Sequence, residues 1–174
     1  MVRHGDSDPR NGVSPRRHKI TEQFRVRAEK TDETAERILS GRTATGRLFV
    51  QAGDYSFPEA EWDDFVAVVL NWWVSNALAL DGAVIEVDNR FMDGPFSYRV
   101  RREPGAENIT ITFVRNGQAE LPAYVEIPYK SYLRSLYEGT EQFLDELGDL
   151  SDSDIQALRR NLVQLAKLVR EPGT

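Results

Sequence analysis

The sequence of 174 residues contains no cysteine and only two histidines. The absence of cysteine excludes disulfides, thiolate zinc sites and cysteine nucleophiles. His4 and His18 lie in an N-terminal segment with hardly any large apolar residue, where we expect nothing to hold an imidazole against a base or a metal ion. The sequence therefore disfavours a Ser-His-Asp triad, and only oxygen and nitrogen chemistry remains.

Phosphate-binding motifs and long apolar runs are also missing. No G-x-x-x-x-G-K-[S/T] loop occurs, and no G-x-G-x-x-G follows a strand pattern, so we predict no nucleotide cofactor. The most apolar segment, residues 65–80, is interrupted by Asn71, Ser75 and Asn76 and is shorter than the roughly 20 residues of a membrane span. Because no apolar segment of a secretory signal follows the basic N-terminus, we expect a cytoplasmic protein.

Basic residues are absent from two long stretches of the chain. The formal net charge is −6, and because the first 20 residues carry +3, the remainder carries −9. No Lys or Arg occurs from Leu48 to Asn89, and a second block with acids only runs from Glu138 to Asp154. A protein that binds nucleic acid needs Lys and Arg side chains to displace counterions from the phosphates. A basic protein is therefore a better partner for the folded part than a nucleic acid.

Length, composition and periodicity predict one α+β domain over residues 19–174 behind a disordered basic tail, residues 1–18. The predicted fold is an antiparallel sheet of about five to six strands, packed against a long central helix and a C-terminal αα-hairpin. Alternating apolar residues predict a strand at 24–28, although a helix is an alternative there. Further strands are predicted at 47–51, 84–88, 96–102, 108–115 and 119–127. Asn116-Gly117 predicts a hairpin between the last two strands.

Four helices are predicted from capping signals and 3.6-residue periodicity. A short helix spans 32–39, and the central helix begins at the S-x-x-E box of Ser56 and Glu59 and ends at about Leu80. An apolar stripe after Pro128 predicts a third helix that ends at Gly148. The last helix begins near Ser151 or Ser153 and has an apolar seam, which we expect to pack on the preceding helix. The alternative is a homodimer formed through this seam, at Ile155, Leu158, Leu162 and Leu165.

The acidic residues are the main candidates for function. Paired carboxylates at Asp63 and Asp64 are typical of metal binding or acid–base catalysis. However, the dipole of a helix also favours acids in its first turns. We prefer this structural explanation, and we therefore predict no catalytic residue and no metal ligand. Instead we predict contact with a protein partner, through the acids of the two blocks and an exposed turn. These residues are Asp54, Glu59, Glu61, Asp63, Asp64, Met92, Asp93, Glu138, Glu141 and Asp145.

Two segments resemble the small bacterial immunity partners of polymorphic toxins. They are F-P-E-A-E-W-D-D-F-V at residues 57–66, continuing to L-N-W-W at 70–73, and F-M-D-G-P-F at 91–96. The resemblance implies a small cytoplasmic α+β protein that blocks a cognate toxin by occluding its active site. It carries over no catalytic residue, because such proteins inhibit by binding.

The acidic body of the chain agrees with this hypothesis, since it suits a basic toxin. Two alternatives remain. One is a structural or assembly subunit that self-associates through the C-terminal helices and uses the basic tail as a tether. The other is an enzyme, which would need a metal ion bound by carboxylates.

Overall fold

The computed structural model describes residues 18–20 and 23–170. The predicted disordered tail, residues 1–18, lies outside the described residues apart from His18. The elements in chain order are β1 (His18–Ile20), β2 (Phe24–Lys30), α1 (Asp32–Leu39), β3 (Gly46–Ala52), β4 (Tyr55–Phe57), β5 (Asp63–Asp64), α2 (Val66–Leu80), β6 (Glu86–Arg90), β7 (Phe96–Arg101), β8 (Asn108–Arg115), β9 (Gln118–Pro128), α3 (Tyr129–Leu147) and α4 (Ser153–Arg170). The α+β class is as predicted, and residues 24–28 form a strand, not the alternative helix.

The strands form two sheets, so the prediction of a single sheet of five to six strands is wrong. The five-stranded sheet has the order β1-β9-β8-β7-β6, with parallel pairing only between β1 and β9. The second sheet has four antiparallel strands in the order β2-β3-β4, with β5 also paired to β3. Strands β2 to β5 therefore build a sheet of their own, whereas β1 joins the later strands.

Residues 55–64 explain this difference. They form β4, a loop over 58–62 and β5, whereas the capping box predicts the start of the central helix there. Ser56 lies in β4 opposite Gln51, and Phe57 is fully buried, with its ring 6.0 Å from those of Phe91 and Phe96. Burying a Phe side chain is worth roughly 1.5–3 kcal/mol, against about 1 kcal/mol for an N-cap. The aromatic contacts therefore outweigh the local helix signal.

Helix α2 begins at Val66, ten residues later than its predicted N-cap, and ends at Leu80 as predicted. Its start follows Asp64, whose Oδ1 accepts the Phe65 N–H at 2.7 Å. Eight of its 15 residues are buried, and it contacts β6, β3, α3 and α4. No helix within residues 18–20 and 23–170 is long and apolar enough to cross a membrane.

The predicted meander is confirmed as β6 to β9. Asn116 and Gly117 both have positive φ, 53° and 74°, as the tight turn between β8 and β9 requires. The predicted inner face of the sheet is also buried, at Tyr98, Val100, Ile109, Ile111, Phe113, Val125 and Ile127. Leu121 and Ala123 were predicted on the same face, but their side chains lie outside the described part of the chain.

Helices α3 and α4 form the predicted C-terminal hairpin, with the turn at Gly148. The seam of α4 packs inside the chain on α2 and α3, with Ile155, Leu158 and Leu165 buried and Leu162 partly buried. Association of two copies through this seam stays a prediction, and it would have to replace these internal contacts.

Helix α3 also covers the free edge of β2 from Val26 to Lys30. Ser135 Oγ accepts the Val26 N–H at 2.8 Å, and Glu146 Oε2 accepts the Lys30 N–H at 2.7 Å. Gly139 lets the helix approach closely, because a Cβ at this position would lie 2.6 Å from the carbonyl oxygen of Val26. The contact joins the C-terminal hairpin to the second sheet and protects a strand edge that would otherwise be open.

Candidate functional site

A groove of about 470 Å³ lies where the end of β2, the start of α1, the β5–α2 junction and the loop after β6 meet. We call it the acidic groove. It is lined by Thr31, Asp32, Glu33, Arg37, Thr45, Asp63, Asp64, Phe65 and Asp93. Three of the predicted partner-binding residues, Asp63, Asp64 and Asp93, therefore share one surface.

Four exposed carboxylates in the acidic groove have no partner within the described chain. Asp32 and Glu33 belong to the first turn of α1, Asp63 to β5 and Asp93 to the loop after β6. None of their side chains makes an ion pair or hydrogen bond with another described residue. Their negative charge is therefore directed to solvent and available to an external cation.

Asp64 forms the buried wall of the acidic groove and connects two distant segments. Its Oδ2 accepts the backbone N–H groups of Met92 at 3.0 Å and Asp93 at 3.3 Å, and the indole N–H of Trp62 at 3.4 Å. Burial raises the pKa of the Asp64 carboxyl, and the backbone donors oppose this shift only in part. Asp64 was predicted to contact a partner, but it is only 3% exposed, and its role here is to hold the loop that carries Asp93.

Arg37 is the one cation among the described residues that line the acidic groove. Its Nε donates to the Thr43 carbonyl oxygen at 2.8 Å, and its guanidinium lies 5.9 Å from the centre of the Phe65 ring. The first contact holds Arg37 to the loop that follows its own helix, and the second to the residue that precedes α2. A single guanidinium against five carboxylates leaves the groove strongly negative.

Other predicted residues of the first acidic block do not line the acidic groove. Met92 is 40% exposed, beside Asp93. Glu59 and Glu61 are exposed in the loop between β4 and β5, where Glu61 pairs with Arg47 at 3.4 Å. Asp54 is exposed in the turn between β3 and β4, at the other end of β2, where it lines a separate groove with Gln23 and Arg25.

The second acidic block does not contribute to the acidic groove. Glu138, Glu141 and Asp145 are all on α3. Glu141 accepts the Tyr137 hydroxyl at 2.6 Å, Asp145 is exposed, and Glu138 lines a different groove between α3 and β2. The structure thus separates the ten predicted residues into at least two surfaces.

Sequence reasoning missed Asp32 and Glu33. Their only sequence signal is their place in the first turn of a predicted helix, where acids have an ordinary structural role. Nothing local connects them to Asp63 or Asp93. They reach the groove because β3 pairs with both β2 and β5. The start of α1, which follows β2, therefore lies beside Asp63 in β5.

The carboxylates of the acidic groove are dispersed over α1, β5 and the loop after β6. Among the described residues, no group of three or more His, Asp and Glu side chains is arranged to hold a metal ion. The property that the groove does have is unneutralised charge on an exposed surface.

Comparison with known proteins gives no relative from which a role can be transferred. No family model matches the chain, and no curated protein or solved structure matches it. The geometry and charge of the acidic groove therefore have to support a functional hypothesis by themselves.

Proposed function

We propose that this chain is a non-catalytic binding protein, an immunity protein that neutralises a cognate basic toxin by occluding its surface. The observation that carries the proposal is the set of four exposed carboxylates in the acidic groove that have no partner among the described residues: Asp32, Glu33, Asp63 and Asp93. The toxin would place Lys or Arg side chains in this groove.

The electrostatics of the groove support this function. Like charges that converge on one concave surface produce a potential that attracts a cationic partner and raises its association rate. Arginine forms paired hydrogen bonds with carboxylates, and such charge-assisted bonds are stronger than neutral ones. A neutralising protein must capture its toxin quickly, so fast association is the useful property here.

The two segments with the immunity-protein resemblance meet beside the acidic groove. Phe57 of the first segment packs on Phe91 and Phe96 of the second, and the Asp64 carboxylate holds the backbone of Met92 and Asp93. The two segments that carry the resemblance are therefore in contact with each other in the fold. This agreement supports the groove as the contact surface.

Affinity capture with matched charge reversals tests the proposal. The full-length chain, its Asp63→Lys/Asp93→Lys variant and a Glu107→Lys/Asp149→Lys control serve as baits in lysate of the source cell. The control makes the same change in charge at exposed residues outside the groove. We expect the wild type and the control, but not the groove variant, to retain a basic protein. That protein should arrest growth when expressed alone, and co-expression of the wild-type chain should restore growth.

Other results would contradict the proposal. Equal retention by all three baits would show that the acidic groove does not contact the partner. A retained protein without toxicity would remove the immunity role. Retention of further copies of this chain alone would favour the assembly subunit that self-associates through its C-terminal helices.

A further inference from the structure

A second groove, of about 460 Å³, runs between β2 and α3, and we call it the arginine groove. Its strand wall carries Gln23, Arg25 and Arg27, and its helix wall carries Ser131, Arg134 and Ser135. It opens at the start of β2, whereas the acidic groove begins beyond the end of this strand. Seven strand residues, at about 3.3 Å each, put roughly 20 Å between the two ends.

The guanidinium groups of the arginine groove are poorly neutralised by the chain itself. Arg25 holds only the amide oxygen of Gln23, at 3.1 Å from Nε and 2.7 Å from its terminal nitrogen. Arg134 is exposed and has no ion pair or hydrogen bond with a described residue. Arg27 makes one contact of 3.4 Å with Glu29. By contrast, Arg101 on β7 reaches both Glu86 and Glu103.

Hydrogen-bond donors also dominate the walls. The oxygen of the Gln23 side chain accepts from Arg25, and its NH₂ group has no acceptor among the described residues. Ser135 Oγ accepts the Val26 N–H, and its own hydroxyl hydrogen has no acceptor among the described residues. Glu138 is the one carboxylate among the described lining residues, against three arginines. The groove therefore suits an anion that can accept several hydrogen bonds.

The shape favours an extended ligand over a single small anion. The helix wall runs from Ser131 to Gln142, which at about 1.5 Å per residue is roughly 16 Å. This length matches about five residues of an extended peptide. The alternation of the β2–β3 ladder also turns the backbone N–H of Phe24 to the same free edge as that of Val26, where it has no partner in the described chain.

We propose that the arginine groove binds an extended acidic peptide segment of a protein partner. Asp or Glu side chains would accept hydrogen bonds from Arg25 and Arg134, and the peptide backbone would lie along the start of β2. A nucleic acid is a poorer ligand, because a chain of net charge −6 repels the phosphates beyond the few that this groove would contact. The site is independent of the acidic groove and of the function proposed for it.

Titration of the ¹⁵N-labelled full-length chain with hexaglutamate at low ionic strength tests this site. We expect the amide signals of residues 23–27 and 131–142 to shift together with one dissociation constant. Arg134→Glu should weaken binding at least about tenfold, which is the loss of one charged contact of about 1.4 kcal/mol. Arg25→Gln is the second variant, with a smaller loss expected. Arg160→Glu is the matched control, because Arg160 is exposed on α4 outside both grooves and should leave binding unchanged.

Several outcomes would overturn the inference. Hexaglutamate that shifts no groove signal, or that binds Arg134→Glu and the wild type equally, would show that the groove is not its site. Equal shifts with inorganic phosphate at the same concentration would assign the groove to small anions. Tighter binding of a six-nucleotide DNA strand than of hexaglutamate would assign it to nucleic acid.

Discussion

At the scale of single residues, Asp64 connects the start of α2 to the loop that carries Asp93. Its carboxylate is buried but accepts hydrogen bonds from three backbone N–H groups and one indole. These donors satisfy both oxygens, which reduces the cost of burying a charge. No ion pair with a described residue offsets the remaining desolvation, and burial therefore raises the pKa of this carboxyl.

The raised pKa of Asp64 predicts a particular pH dependence of stability. The folded chain binds the Asp64 proton more tightly than the unfolded chain, so the contribution of Asp64 to stability is greatest below the ordinary carboxyl pKa. This contribution falls as pH rises through the window between that value and the raised one. In Asp64→Asn, this fall in the free energy of unfolding with rising pH should be absent. Urea unfolding at a series of pH values measures the slope.

Asp63→Asn provides the control, because Asp63 is the exposed neighbour in the same strand. It should keep the part of the pH slope that comes from Asp64. Identical slopes in the wild type and Asp64→Asn would show that another group titrates in this window.

At the scale of elements, the contact between α3 and β2 joins the C-terminal hairpin to the second sheet. Ser135 and Glu146 supply acceptors for N–H groups on the free edge of β2. Gly139 lies between them and allows the two backbones to approach. The arginine groove lies along this contact, so the spacing of helix and strand sets its width.

Gly139→Ala should destabilise the chain by about 1–3 kcal/mol, because its methyl group would overlap a backbone carbonyl that has little freedom to move. Alanine favours a helix by about 1 kcal/mol over glycine, so a net loss would mean that the clash exceeds this gain. Urea unfolding gives the difference. Asp145→Ala, at an exposed position of α3, should change stability by less than about 0.5 kcal/mol. A variant Gly139→Ala that is more stable than the wild type would contradict the close approach.

At the scale of the whole molecule, opposite charges lie at the two ends of β2. The acidic groove has four unpartnered carboxylates, and the arginine groove has three arginines against one carboxylate. Among the described residues, the contact of Arg27 with Glu29 is the one ion pair that these side chains make. This separation of charge is the physical basis for proposing two partner surfaces.

Neutralising the acidic groove should therefore leave the fold intact. In Asp63→Asn/Asp93→Asn we expect unchanged stability or a gain of up to about 0.5 kcal/mol, since repulsion between exposed like charges is relieved. The gain should disappear at high salt, because screening weakens such repulsion. Thermal unfolding at low and high salt checks both points. A loss of more than about 1 kcal/mol would make these acids structural.

Much of the fold was predictable because its signals are local. The hairpin at Asn116-Gly117, the short α1, the meander and the two C-terminal helices follow from turn residues and apolar periods within each segment. The adjacent tryptophans on α2 point in different directions, so that Trp73 is buried and Trp72 is 42% exposed. Such patterns depend on neighbours a few positions away.

The site was predicted only in part. Acidity at Asp63 and Asp93 is visible in the sequence, but their union with Asp32 and Glu33 is not. The three acids of α3 were predicted with them because they form a charged block along the chain, yet they lie on another surface. The sequence shows which residues carry negative charge, but it does not show which of these residues lie together on one surface.

By itself, then, the sequence determined the α+β fold class, the acidic character, most element boundaries and the lack of cysteine chemistry. Each of these depends on composition or short-range periodicity. Only the tertiary structure decided that there are two sheets, that α2 starts at Val66, that Asp64 is buried and that two oppositely charged grooves flank β2. The physical reason is that burial of Phe57 among Phe91, Phe96 and Phe113 is settled by side chains more than 30 positions away. That burial energy exceeds the local preference of residues 56–59 for a helix start.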